Sequence, residues 1–264
     1  MTTRTEHILV LTRDGAHTDE RTIAIEAPVA IEVNGIGYAV LMATPAALDD
    51  LATGFLLTER LIDAAADILD MDVFETPAGW IVRVTVAERC AGRIHDRVRH
   101  RTSDTACGLC GVSGLEQVVR PVTRHAPTPH TSAAAVFTAL EAIRAHQPLT
   151  AATGALHAAA VCDTTGAIVA AREDVGRHNA LDKLIGACAP AEIAAGFVLV
   201  TSRISFEMVD KALVAGAPLL VGISAPTGLA VDHARAHGLS LVALARKDAM
   251  LVMNDPHHVF AARL

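Results

Sequence analysis

Aromatic side chains are almost missing: six Phe, one Trp and one Tyr make up 3% of the 264 residues. Trp80 and Tyr38 alone cannot build a platform for stacked bases, which excludes single-strand recognition of that kind. An excess of positive charge is also missing. With 22 Lys and Arg against 29 Asp and Glu, the formal net charge is −7, the wrong sign for tracking a phosphate backbone. No apolar run reaches the roughly eighteen residues of a membrane-crossing helix. The longest, Leu213 to Ile223, is broken by Gly216 and Pro218. The first apolar cluster, Ile8 to Leu11, stops at Thr12-Arg13-Asp14 and does not read as a secretory leader. Cysteine is sparse: Cys90, Cys107, Cys110, Cys162 and Cys188 form no regular disulfide framework and suit a reducing compartment. Gly-x-Gly-x-x-Gly and Walker loops are absent, which disfavours the common dinucleotide and ATP cradles. These absences together lead us to expect a cytoplasmic protein with neither a nucleic acid nor a membrane as partner.

What is abundant is aliphatic. A hydrophobic fraction of 52% and a mean hydropathy of +0.38 supply a core without help from metal or disulfides. The pattern divides the chain into three stretches. Residues 1–104 read as a small α+β domain, with strands at Thr22 to Glu26, Ile31 to Val33 and Gly37 to Met42 around an Asn34-Gly35 turn. A helix is expected to start at Thr44-Pro45, with Leu48, Leu51, Phe55, Leu56 and Ile62 as its apolar face. Strands at Asp70 to Glu75 and Trp80 to Val86 follow. Periodicity is lost from Glu88 to His130, and we read 105–130 as a mobile connection preceded by Arg89, Arg93, Arg97, Arg99 and Arg101. Residues 131–264 open with a helix, Ala133 to His146, and a hairpin, Ala158 to Cys162 with Ala167 to Ala171. Strand–helix alternation follows, with strands at Phe197 to Val200, Leu219 to Ile223 and Leu239 to Leu244, which implies a largely parallel sheet with helices on both faces.

In an open sheet of this kind ligands lie beyond the carboxyl ends of the strands. Four polar segments fall there: Glu173 to Asn179 with Arg177 and His178, Thr201 to Ser205 with Ser202 and Arg203, Ser224 to Gly228 with Thr227, and Arg246-Lys247-Asp248. Three of them open helices, whose free N–H groups, with Ser/Thr hydroxyls and guanidinium groups beside them, suit the oxygens of an anionic, nucleotide-containing ligand. Each segment alone reads as an ordinary helix cap; it is the meeting of three Arg-bearing segments at one sheet edge that points to a ligand. His157 sits at a turn into the hairpin, and this arrangement resembles the cytidine-deaminase fold. Ala159 stands where a deaminase has its catalytic glutamate, and no Pro-Cys-x-x-Cys opens the next helix, which argues against deaminase chemistry.

The motif richest in chemistry is Thr105-Ala106-Cys107-Gly108-Leu109-Cys110-Gly111. Glycines at 108, 111 and 114 leave little side chain to bury the thiols, and a reactive cysteine needs both access and thiolate character. With His125 and His130 the pair gives Cys-x2-Cys-x14-His-x4-His, a zinc-finger spacing, although Pro121, Pro127 and Pro129 keep those histidines from sharing a helical face. A thioredoxin-like dithiol would require a preceding strand, which is not evident. Sulfur carriage requires only one reachable thiolate, able to hold a persulfide and pass it on.

In this order and combination, several short motifs resemble the formate dehydrogenase accessory sulfurtransferase family, FdhD. They are Leu51-Ala52-Thr53-Gly54-Phe55-Leu56 with Glu59, Cys107-Gly108-Leu109-Cys110-Gly111, Thr153-Gly154 with His157-Ala158-Ala159, Glu173 to Lys183, Ser202-Arg203-Ile204-Ser205 with Glu207-Met208-Val209, and Ser224-Ala225-Pro226-Thr227 with Leu229-Ala230-Val231. The resemblance implies a cytidine-deaminase-like three-layer α/β/α main domain over 131–264 and a smaller N-terminal α+β domain. It implies a homodimer that takes sulfur from a cysteine desulfurase onto Cys107, with Cys110 assisting. The sulfur would pass to the bis(molybdopterin guanine dinucleotide) molybdenum cofactor, bound as substrate, in the service of formate dehydrogenase, with no tightly bound zinc. The family's cofactor segment aligns with Leu244, Ala245, Arg246, Lys247, Asp248 and Ala249, with Leu244 replacing an aromatic residue; Ala155 likewise replaces a family glycine. The alternative is a zinc-stabilised or non-catalytic chaperone that only binds the cofactor.

Overall fold

The computed structural model describes residues 1–100 and 125–260. The chain begins with a two-stranded antiparallel hairpin, β1 (Thr3–Thr12) and β2 (Gly15–Ala24). Sequence patterning does not mark out this ribbon, because neither strand alternates polar and apolar residues and neither has a buried face; Leu9 and Leu11 stand exposed. Next along the chain is a four-stranded sheet, built from β3 (Ala27–Val33), β4 (Ile36–Ala43), β5 (Ile68–Thr76) and β6 (Gly79–Val86) in the order β4-β3-β6-β5. Its inner face, with Val29, Ile31, Val33, Val82 and Val84, packs under α1 (Leu48–Thr58) and α2 (Glu88–His100).

Two expectations need correction. The helix expected from Thr44-Pro45 begins at Leu48, behind Ala47 in a left-handed conformation, because the Thr44 hydroxyl accepts the Val175 N–H at 3.1 Å instead of capping α1. The aperiodic stretch expected from Glu88 begins with helix α2. Cys90 and Ile94 fasten α2 to the core, Arg93 pairs twice with Asp63 at 2.8 and 2.9 Å, and Arg89 pairs with the buried Asp67. A single buried turn of helix is too short to show a period in a run dominated by arginine. The charges of Arg89 and Arg93 fix α2 through Asp67 and Asp63.

The second layered unit is a six-stranded sheet in the order β12-β11-β10-β9-β7-β8. Its strands are β7 (His157–Cys162), β8 (Ile168–Asp174), β9 (Phe197–Val200), β10 (Leu219–Gly222), β11 (Ser240–Ala243) and β12 (Leu251–Asn254). The sheet is not the largely parallel one expected: β9, β10 and β11 run parallel, but β7 is antiparallel to β9 and β8, and β12 is antiparallel to β11, because the β7–β8 hairpin and β12 stand outside the strand–helix alternation. The central strands are buried on both faces, which is why they read as unbroken apolar runs. Val198, Val200, Leu220, Leu241 and Ala243 meet α5 (Arg177–Ala187), α6 (Pro190–Ala195), α7 (Phe206–Val214) and α8 (Gly228–Ala236). Phe197, Leu199, Leu219, Val221 and Val242 meet α3 (Ala133–Ala142). The three-layer α/β/α architecture is therefore present. A short helix α4 (Pro148–Thr153) precedes β7, its first free N–H groups held by the Glu173 carboxylate at 2.7 to 2.9 Å.

Helices α1 and α5 cross at two glycines and join the two sheets. A Cβ at Gly54 would stand 1.8 Å from the Asp182 carbonyl oxygen, and one at Gly186 would stand 2.0 Å from that of Asp50. Contact this close needs glycine on both helices. Polar bridges frame it: Arg172 to Asp50 at 2.7 Å, Arg60 to Asp210 at 2.8 Å, and Lys211 with Thr58 on the buried Asp182 at 2.8 Å.

Candidate functional site

Strand direction gathers the polar segments. Because β7 opposes β9 and β8 opposes β7, the start of β7 and the end of β8 share one sheet edge with the carboxyl ends of β9, β10 and β11. His157 pairs across the strands with Asp174, and Thr201 bonds to Ala158 through its backbone N–H and receives the Ala158 N–H on its hydroxyl. Ile204 bridges to Pro226, and the Leu244 N–H reaches the Ser224 carbonyl at 3.2 Å. The four segments singled out in the sequence thus lie side by side, and three of them open helices: Gly176 precedes α5, Ser205 precedes α7 and Thr227 precedes α8. Only Thr227 uses its side chain as a cap, accepting the Ala230 N–H at 3.3 Å.

The residues along this edge divide by what they touch. Arg203 is exposed and Arg177 half-buried, and neither is paired with a carboxylate among the described residues. Both lie close enough to His157 to act on it. Burial, then Arg177, then Arg203 push the His157 imidazole below its ordinary pKa, against a smaller opposing pull from Asp174. The edge therefore holds two fixed positive charges around a neutral imidazole. His178 lies 3.0 Å from Glu207 on α7, and this contact, foremost among the causes, holds the Glu207 carboxyl below the usual range. Glu207 was not among the residues expected at the site; a carboxylate in the first turn of a helix reads as ordinary dipole matching.

Other expected residues are committed elsewhere. Ser202 is buried, with its hydroxyl donated to the Arg203 carbonyl at 3.1 Å. Arg246 turns its guanidinium back onto the Ile223 and Ala245 carbonyls, and its own N–H reaches the Ala249 carbonyl at 2.7 Å, so it closes the loop after β11. Leu244 is exposed in a left-handed conformation, Ala245 is buried, and Ser224, Thr227, Lys247, Asp248 and Ala249 lie open to some degree around them. Cys107 and Cys110 lie outside the described residues. The other three cysteines are buried without disulfides, and burial raises each thiol: Cys162 to about 12, Cys188 to about 11, and Cys90 upward as well.

The imidazole gives a pH prediction. A histidine whose folded pKa lies below its unfolded value binds its proton more readily when unfolded, so its contribution is complete above the unfolded value of about 6.5 and is lost as pH falls through the folded value. Chemical denaturation of wild type between pH 7.5 and 5 should therefore lose stability more steeply than that of His157→Gln. Parallel pH profiles would contradict this environment for His157.

Known proteins resemble this chain over nearly its whole length. The FdhD/NarQ family model matches residues 24–260. A sulfur carrier protein FdhD from Bordetella parapertussis is 44% identical over 241 residues, covering 90% of this chain and 87% of its own. One from Xanthomonas axonopodis pv. citri is 42% identical over 244 residues, 92% of this chain and 87% of its own. A crystal structure described as that of a formate dehydrogenase accessory protein from Desulfotalea psychrophila superposes with a TM-score of 0.76 at 23% identity, covering 98% of this chain and all of the other, and so shares the fold. With a layered sheet, an anion-suited edge and relatives of this kind along nearly its whole length, the chain belongs to the FdhD/NarQ family.

Proposed function

We propose that this chain carries sulfur as a persulfide on Cys107, taken from a cysteine desulfurase, and delivers it to the bis(molybdopterin guanine dinucleotide) molybdenum cofactor for formate dehydrogenase. The observation that carries this reading is the state of the other thiols. Cys90, Cys162 and Cys188 are buried and raised in pKa, and a nucleophile must be a reachable thiolate, so of five cysteines the chemistry falls to Cys107 and Cys110. The names of the curated relatives support the same role. In this reading the segment 105–130 brings sulfur from the desulfurase to the edge of the 131–264 domain, and a homodimer in the cytoplasm does the work without tightly bound zinc. The cofactor is substrate here. Arg177 and Arg203 would take its phosphate oxygens, helped by the free N–H groups that start α5 and α7, while His157, held neutral, adds a hydrogen-bonding group without a third positive charge.

The test separates sulfur from nucleotide. After incubation of reduced wild type with a cysteine desulfurase and cysteine, intact mass should rise by about 32 Da per sulfur. Cys107→Ala should gain nothing yet bind guanosine diphosphate normally. Arg203→Ala should gain sulfur normally and bind guanosine diphosphate about tenfold more weakly, as for one charged hydrogen bond. A persulfide on Cys107→Ala, or a retained metal in place of any sulfur on wild type, would overturn the reading.

A further inference from the structure

The geometry points to Asp174 as the positioning residue of the anion site, acting through Arg177 from a network anchored in the other sheet. This rests on the reading of the edge as the place where cofactor phosphates bind. Asp174 ends β8, is fully buried, and has both carboxylate oxygens occupied. Oδ1 accepts the Gly176 N–H at 2.8 Å and the Asn179 side-chain amide at 3.1 Å; Oδ2 accepts Lys183 Nζ at 2.6 Å and the Thr44 N–H at 3.0 Å. Three of those donors hold a second partner on the end of β4 or on the connection from β4 to α1, or lie on that connection. Asn179 donates also to the Met42 carbonyl at 2.8 Å, Lys183 to the Thr44 carbonyl at 2.8 Å, and Thr44 itself receives the Val175 N–H. The turn between β8 and α5 is therefore tied from behind at Asp174, Val175 and Gly176. At Gly176 a Cβ would meet the Asn179 amide nitrogen at 2.9 Å.

The next residue is Arg177, the first of α5, half-buried and directly behind the tied turn in sequence. An arginine side chain has many rotamers, so the position of its guanidinium depends on how firmly its backbone and the head of its helix are held. The buried polar residues of this motif bind nothing themselves. They fix the start of α5 relative to the end of β8 and the end of β4, so the fastening points belong to the N-terminal sheet and the connection that leaves it. Their effect on ligand affinity runs through Arg177.

A double-mutant cycle on the full-length protein tests this, with guanosine diphosphate as probe and affinity measured by calorimetry well below each variant's melting temperature. Asn179→Ala should weaken binding about tenfold, the size expected for a displaced charged contact, and so should Thr44→Val. Thr44→Val removes only a hydroxyl and keeps the cycle readable where Asn179→Ala lowers stability. On the Arg177→Ala background neither substitution should cost further affinity, because the group they position is gone. A purely structural role would give losses that add to that of Arg177→Ala, or lower melting temperatures at unchanged affinity, and either result overturns the positioning claim. If wild type takes up no guanosine diphosphate, the reading of the edge fails and this inference falls with it. Sulfur loading at Cys107, followed by mass, should stay normal in Asn179→Ala and Thr44→Val, and its loss there would show a general disruption of the fold and overturn the positioning claim.

Discussion

A Gly186→Val protein should unfold at a temperature about 10 °C or more below wild type, or fail to accumulate in folded form. The reason is the crossing of α1 and α5. A Cβ on residue 186 would lie 2.0 Å from the Asp50 carbonyl oxygen and 2.8 Å from the Gly54 nitrogen, and both are backbone atoms inside a packed helix. No rotamer change relieves such a clash, so the helices must move apart. Separation also strains the bridges between Arg172 and Asp50 and between Lys211, Thr58 and Asp182, and exposes part of both cores. Overpacking of this kind, with backbone on both sides, should cost about 4 kcal/mol or more, a large share of a domain's total stability. The same change at Gly54, whose Cβ would sit 1.8 Å from the Asp182 oxygen, should be as severe. Circular dichroism melts of the two variants would decide the matter, and a wild-type melting temperature in either would refute the close approach.

Lys183→Met should cost about 3–5 kcal/mol in urea unfolding, whereas Asp174→Asn/Lys183→Met should recover much of that loss. Lys183 and Asp174 are 1% and 0% exposed and 2.6 Å apart. Burial pushes the lysine's pKa down, and Asp174 is the chief opposing influence, so the ammonium group depends on the carboxylate beside it. Removing the lysine leaves a carboxylate in a dry site with three remaining donors, none of them charged. Removing both charges leaves two neutral side chains of similar size. A double variant less stable than the single one would show that the carboxylate stabilises the fold through its neutral donors even without the lysine, and would contradict a penalty for leaving it unpaired.

How legible this was from the chain depended on how much of each signal is local. The strands β9 to β11 were plain because a strand buried on both faces is an uninterrupted aliphatic run, as Phe197–Val200 is. Arg177, Arg203 and Ser224 were legible at one edge because each follows a strand, whereas His157 precedes one and joins them only because β7 runs antiparallel to β9, which the alternation of strands and helices does not show. Asp174, Asn179 and Lys183 were harder. In sequence they belong to the same polar segment as Arg177, and only burial distinguishes a residue that faces a ligand from one that fastens the turn behind it. Arg246 illustrates the reverse: an arginine after a strand invites an anion, yet nearby carbonyls take its donors. The Gly54–Gly186 crossing lies beyond sequence reasoning of this kind, since the two positions are far apart along the chain and a glycine within a helix carries no mark of what passes beside it.

The distribution of the buried thiols has a use outside sulfur chemistry. Cys90 belongs to the core beneath the four-stranded sheet, Cys188 to one face of the six-stranded sheet and Cys162 to the opposite face. Each of the three hydrophobic clusters thus contains one natural reporter, silent while its layer is closed. In a Cys107→Ala/Cys110→Ala background, the order in which an alkylating reagent reaches these three under native conditions would rank the opening free energies of the layers without any label being introduced.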